Sequence, residues 1–384
     1  MTKKKPQLVV FNNNYPRENN RYADVFVHSR LKYYANFFNV NVVGWNKRTG
    51  IYSFTYEGIH VDMVDKADLL VEKIFSYKPD VLAFHFVEGW QYRSIIKPFK
   101  GPSLIWIHGG EALGWYRRLF MFRLNNPIPF IRYVARNTIQ MFQMHQLITY
   151  SNLNPRVKLI FVSKWMKGIT ELDTLSQSRN FRIIPNPIDG KLFQYRKKDP
   201  QQRTKILLIR SFESKKYAND LAIDAILQLS KYPFFNELSF SIYGVGRYYK
   251  RLTKKIAHFK NVSLHNTFLE NKDIPAVHAE HGIFLCPTRQ DAQGVSMCEA
   301  MSSGLVPISS RNTAIPEFLE QNVTGIMTTS PAEIAEAIAK LYANPDQFLS
   351  ISEAAANRIQ QISGTDSVVS REIELIQTSV SSVR

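Results

Sequence analysis

Residues 289–304, RQDAQGVSMCEAMSSG, place two carboxylates, Asp291 and Glu299, eight positions apart among small and apolar residues. Two kinds of chemistry compete for them. Ser296 and Glu299 form Ser-x-x-Glu, the pattern of a capping box, in which Glu299 would satisfy an amide at the start of its own helix. On that reading Asp291 is an ordinary loop aspartate. The alternative is a ligand site. A helix that starts at the carboxyl end of a parallel strand offers free N–H groups and the positive end of its dipole to a phosphate. Carboxylates flanking that point can accept hydrogen bonds from sugar hydroxyls. A nucleotide diphospho-sugar has both features, a diphosphate between two polyols. Gly294 permits a positive φ or a close backbone approach just before the helix.

A diphosphate needs cations. LLIRSFESKKYAND supplies Arg210 directly after a strand and Lys215 five residues later. Neither is expected to begin a helix. A solvated loop is the plain alternative, but the carboxyl end of a strand is where open α/β sheets bind ligands.

The elements that must hold these residues alternate strand with helix. QLVVF, VNVVGW, DVLAFHF, SLIWI and KLIFV read as strands of a first series. KILLI, LSFSIYG, VSLH, GIFLCP and LVPISS read as strands of a second, with helical spacing between. This alternation predicts right-handed crossovers and mainly parallel sheets. The fold class is therefore α/β, with two doubly wound, Rossmann-like domains facing a central cleft. The first is expected over residues 1–190 and the second over 203–365, with a C-terminal helix at about 366–384 packing back on the first. The polar stretch DGKLFQYRKKDPQQRTK reads as the linker, and a helical pair is expected to break at Asn344-Pro345.

Composition narrows the classes. The 384 residues suit two domains, and 45% hydrophobic content allows a sizeable core. Two cysteines, Cys286 and Cys298, both in apolar surroundings, suggest no disulfide framework and a reducing compartment. The apolar run after the basic start is too short for a signal peptide, and no stretch is long enough to span a membrane. A cytoplasmic protein is expected. The net charge of +17 is lopsided: residues 1–200 hold 30 Lys/Arg against 14 Asp/Glu, and residues 201–384 hold 19 against 18. A basic first half favours an anionic partner. There is no G-x-x-x-x-G-K-[ST], no G-x-S-x-G, no zinc spacing and no Asp-x-Asp, and YGVGR carries only Gly-x-Gly. No metal and no dedicated cofactor are expected.

Five ordered stretches resemble the retaining glycosyltransferases of family 4, which have the GT-B fold (the glycosyl transferases of group 1). They are RIIPNPID, IRSFESK, IYGVGR, PTRQDAQGVSMCEAMSSGLVPISS and IPEFLEQNVTGIM, within roughly residues 155–345. The first half is similar in layout, with IHGGE as its clearest local match. The resemblance implies that Glu299 binds the ribose hydroxyls and Asp291 the donor sugar. It places Gln293, Gly294, Val295 and Ser296 where backbone amides meet sugar and phosphate, and Arg210 and Lys215 at the diphosphate. It puts His108 beside the donor sugar, so that His108 and Asp291 are the expected catalytic residues. Where the family has Glu, this chain has Asp291, one methylene shorter, and NNNYPRENNRY replaces the usual glycine-rich first loop. The implied reaction moves a sugar, with retention, from a nucleotide-sugar to a glycan or lipid-linked saccharide, as in surface polysaccharide synthesis.

Residues 115–136 interleave Trp115, Tyr116, Phe120, Phe122, Phe130 and Tyr133 with Arg117, Arg118, Arg123, Arg132 and Arg136. Aromatic-plus-basic helices suit anionic membrane surfaces. The competing reading packs the aromatics inward and exposes the arginines. A nucleotide-sugar epimerase on the same fold is the alternative function. A non-enzymatic nucleic-acid-binding protein would explain the charge but not the ordered motifs, and no nucleic acid is expected.

Overall fold

The computed structural model describes residues 4–18, 23–47 and 50–382. Part of the asparagine-rich stretch, residues 19–22, lies outside them, as do the last two residues of the C-terminal segment. The chain divides into two compact units, residues 1–187 with 366–384, and residues 188–365.

The first unit is built on an eight-stranded sheet: β1 (Gln7–Phe11), β2 (Asn39–Trp45), β3 (Tyr52–Tyr56), β4 (Ile59–Val64), β5 (Val81–His85), β6 (Ser103–Ile107), β7 (Val157–Phe161) and β8 (Phe181–Ile183). Its order is β3-β4-β2-β1-β5-β6-β7-β8. All pairings are parallel except β3 with β4. That antiparallel hairpin escapes the strand reading of the sequence. It turns at Glu57 and Gly58, both at positive φ, and Glu-Gly is not among the usual hairpin signals. β5, β6 and most of β7 are buried throughout, as strands covered on both faces must be.

The helix Thr365–Ser381 adds a stripe to this core: Val368, Val369, Leu375, Ile376 and Val380. Within the stripe sits a fully buried carboxylate. Glu372 accepts hydrogen bonds from the Tyr34 hydroxyl at 2.6 Å and the Trp106 indole at 3.1 Å, with Arg30 Nη1 at 3.6 Å. Arg30, also buried, donates to Asn186.

The second unit carries six parallel strands: β9 (Lys205–Ile209), β10 (Ser239–Tyr243), β11 (Val262–His265), β12 (Ile283–Cys286), β13 (Val306–Ser310) and β14 (Ile326–Thr328). The order is β11-β10-β9-β12-β13-β14. Strand order therefore reverses direction between β9 and β12. The helices Asn219–Leu229 and Pro331–Ala343 bury Ile223, Ile226, Ile334 and Ile338 in the core of this unit. The stretch expected as a linker lies within the second unit and is anchored to it at a few points. Phe193 is buried, Lys198 donates to the His278 carbonyl from a buried position, and Asp199 and Gln202 form a capping box around a 3-10 turn. Between these anchors Lys191, Gln194, Arg196 and Lys197 are exposed, as the polar reading of the stretch expects. Among the described residues no helix is long and apolar enough to cross a membrane.

Candidate functional site

The reversal between β9 and β12 leaves a gap at the carboxyl edge of the second sheet, the usual ligand position in open α/β sheets. Arg210 follows β9 directly and is only 7% exposed. Its Nη2 lies 3.4 Å from the Cys286 carbonyl, and its guanidinium lies over the Tyr217 ring, 5.4 Å from the centroid. Its Nε is buried without a hydrogen-bond partner. A buried orphan N–H on a permanent cation is costly and calls for an occupant.

Close backbone packing holds this loop. Arg210 N–H donates to the Tyr243 carbonyl and Phe212 N–H to the Val245 carbonyl. A Cβ at Gly244 would stand 2.0 Å from the Arg210 carbonyl oxygen, and one at Gly246 2.2 Å from the Glu213 nitrogen. The Gly-x-Gly of YGVGR therefore lets the loop after β10 lie against the Arg210 loop.

After β12 the chain turns through Asp291. Its Oδ1 accepts N–H bonds from Gly294 at 2.8 Å and Gln293 at 3.4 Å, while Oδ2 faces Arg210 Nη1 at 4.0 Å. Gly294 then sits at φ 81, and the helix Val295–Ser302 begins. The capping box expected from Ser296 and Glu299 does not form: the N-cap is Gly294, and no side chain caps the helix. Ser296 lies one position too far into the helix, so Asp291 takes over the organisation of the turn. The first amides of the helix, at Val295 and Ser296, have no intrahelical acceptor. Gln293 is buried, with its side chain bonded to the Cys298 thiol, so its contribution at the surface of the turn is through the backbone.

Glu299 is partly buried, and its carboxylate accepts no hydrogen bond from the described residues. Burial pushes it up to about 8, against the lowering influence of Arg210. The structure thus gathers Arg210, Asp291, Gln293, Gly294, Val295, Ser296 and Glu299 at one edge. Lys215 is nearby in sequence but exposed, and it opens a single 3-10 turn, Lys215–Tyr217, where no helix start was expected.

Arg289 is a residue that the motif reading left without a role. It forms a two-pronged pair with Asp220 at 2.8 and 2.7 Å and donates to the Lys215 carbonyl. Arg289 N–H and the Thr288 hydroxyl both donate to the Lys216 carbonyl. Arg289 thereby ties the loop after β12 to the loop carrying Arg210 and Lys215. Sequence spacing holds no sign of this, since the partners are about 70 residues apart.

His108 belongs to the first unit, at the carboxyl end of β6. Its Nε2 lies 2.9 Å from Nδ1 of His85, which ends β5. Phe26 and Phe86 pack on its ring, and its Nδ1 is buried without a partner. Burial, with Arg30 adding to it, holds both histidines well below the usual imidazole range, so both are neutral at pH 7. Glu111 accepts the N–H groups of His108 and Gly109, and burial pushes its carboxyl up to about 7 against those bonds. Glu111 was legible only as part of IHGGE, and nothing in the sequence ties His85, 23 residues earlier, to His108.

Comparison with known proteins bears on both units. Over 98% of this chain and 100% of the other, the structure matches sucrose-phosphate synthase of Thermosynechococcus elongatus, with TM-score 0.75 and 12% identity. It matches Anabaena HepE, solved with UDP and glucose, over 97% and 100%, with TM-score 0.70 and 14% identity. The chain has the GT-B fold. Residues 203–344, within its second unit, match the family model described as glycosyl transferases group 1. In sequence it is similar to a GDP-mannose-dependent alpha-(1-6)-phosphatidylinositol monomannoside mannosyltransferase of Mycobacterium tuberculosis, 29% identical over 125 residues, 29% of this chain and 32% of that one. It is also similar to an uncharacterized 41.2 kDa protein in the cps region of Klebsiella pneumoniae, 26% identical over 33% of each. The matched part spans about a third of the length of these curated relatives.

Proposed function

We propose that this GT-B chain is a retaining glycosyltransferase whose second unit binds the nucleotide-sugar donor. The observation that carries the reading is the pair of unsatisfied groups at the β9–β12 switch point. A buried guanidinium with an orphan Nε and a carboxylate with no hydrogen bond stand beside the open amides of a helix start. In this reading Arg210, Lys215 and the Val295 and Ser296 amides hold the diphosphate. Glu299 takes the ribose hydroxyls, and the second oxygen of Asp291 meets the sugar. The positive groups oppose the charge that grows on the leaving nucleoside diphosphate, which is transition-state stabilisation by preorganised dipoles and cations. Attack from the same face, with the leaving phosphate taking the acceptor proton, retains configuration. For His108 the support is the resemblance together with its neutral ring and unpartnered Nδ1.

The relatives point to a sugar-polymer or lipid-linked acceptor: one is named for a phosphatidylinositol mannoside and another for a cps region. A thermal-shift screen with UDP-, GDP-, ADP- and dTDP-sugars tests the donor site. One donor should raise the melting temperature. The shift should vanish in Glu299→Ala and weaken at least about tenfold in apparent affinity in Arg210→Ala. Equal shifts in both folded variants would sink the assignment.

A further inference from the structure

The helix Ile128–Leu153 is apolar on two opposite faces. One is the expected core face, where Met141, Met144 and Ile148 are buried. The other meets solvent. Ile128, Ile131, Ile139 and Phe142 are 56%, 61%, 60% and 60% exposed. At 3.6 residues per turn these four fall within an arc of about 80°, across the helix from the buried residues. The preceding segment extends the surface with Phe122 and Leu124, the latter 90% exposed. A helix on a globular surface ordinarily turns polar residues outward, and an apolar patch left open marks an interaction site.

Charge identifies the occupant. From residue 112 to residue 170 there is no Asp or Glu, while nine Lys and Arg fall in that window. The arginines of residues 115–136 divide into two sets. Arg117 is held by Asp173 at 2.8 Å, and Arg118 is engaged with Glu111 and Tyr133. Arg123, Arg132 and Arg136 are exposed and form no ion pair among the described residues. Arg132 and Arg136 border the apolar stripe on the helix. A second copy of the same face would set cation against cation. Nucleic acid would leave the aliphatic stripe unused, because isoleucine and leucine do not stack on bases. An anionic bilayer matches both features, with phosphates for the arginines and acyl chains for the stripe.

We propose that this face docks on an anionic lipid bilayer. Phe122, Leu124, Ile128 and Ile131 enter the headgroup–acyl boundary, and Arg123, Arg132 and Arg136 meet the lipid phosphates. The inference goes beyond the proposed transfer reaction and does not depend on it.

Co-sedimentation of the full chain with vesicles of phosphatidylcholine alone, or mixed with phosphatidylglycerol, tests it. The chain should pellet with the mixed vesicles and lose at least about tenfold in partitioning with phosphatidylcholine alone. Leu124→Glu/Ile131→Glu should lower binding to the mixed vesicles at least about tenfold. Arg132→Glu/Arg136→Glu should lower it by a similar factor. All four positions are exposed, so melting temperature and any donor-induced shift should stay as in the parent chain. No binding to mixed vesicles would overturn the proposal, as would equal binding by the Leu124/Ile131 variant. So would a dimer in sedimentation velocity that this variant dissociates.

Discussion

The carboxyl edges of the two sheets finish in opposite electrostatic states. In the second unit Arg210 keeps an orphan Nε, Glu299 has no hydrogen bond, and Lys215 has no ion pair among the described residues. In the first unit the charges are already answered. Glu111 is held by two backbone amides, and Glu88 accepts from Asn13, Trp45 and Trp90 at 2.7, 2.8 and 2.9 Å. The two histidines at this edge, His85 and His108, are neutral and bonded to each other. An edge with incompletely bonded buried polar groups is prepared for a ligand, and the cost of keeping it empty is borne by the free protein. An edge whose charges are satisfied offers only neutral hydrogen-bonding groups.

Removing charge should therefore do different things in the two units. The largest effect on stability belongs to the first. Glu372→Ala strands the buried Arg30 and should cost about 3–5 kcal/mol in urea unfolding. A loss below about 1 kcal/mol would mean that the pair is not closed in solution. Glu299→Gln, in the second unit, should do the reverse. Its carboxyl stands at about 8 in the folded chain against an ordinary 4.5. The folded form thus holds a proton that the unfolded form releases. The associated stability is complete below about pH 4.5 and is lost as pH rises through about 8. Glutamine removes that dependence, so above pH 8 the ligand-free variant should be the more stable by about 1–3 kcal/mol while losing donor binding. Stability–pH curves that run parallel for variant and parent would break the comparison. The smallest effect is expected for Ser296→Ala. With no cap to lose, it should change stability by less than about 0.5 kcal/mol, where a true cap would cost about 1 kcal/mol.

Much of the fold is legible because its signals are local. Buried strands such as SLIWI and GIFLCP are short apolar runs, and the alternation with helices leaves parallel sheets as the economical solution. The hairpin at Glu57–Gly58 is missed because its turn lacks a strong signal, and the anchoring of the linker stretch by Lys198 is missed because its partner, the His278 carbonyl, is 80 residues away. In the candidate site, Arg210, Asp291 and Glu299 stand out by charge at strand ends. The division of labour among them does not. Ser296 and Glu299 have capping-box spacing, yet one residue of offset in where the helix starts gives the turn to Asp291.

The amino-acid sequence by itself determined the α/β alternation, the placement of charged residues at strand ends and the acid-free basic stretch that contains the helix Ile128–Leu153. These follow from periodicity and composition within short windows. Only the tertiary structure decided which charges are spent and which remain open. Arg289 is consumed by Asp220, Arg117 by Asp173 and Glu372 by its buried partners, whereas the Arg210 Nε, the Glu299 carboxyl and the Ile128–Phe142 stripe are left without one. The physical reason is that pairing and burial depend on residues tens to hundreds of positions apart, and packing alone brings those residues together.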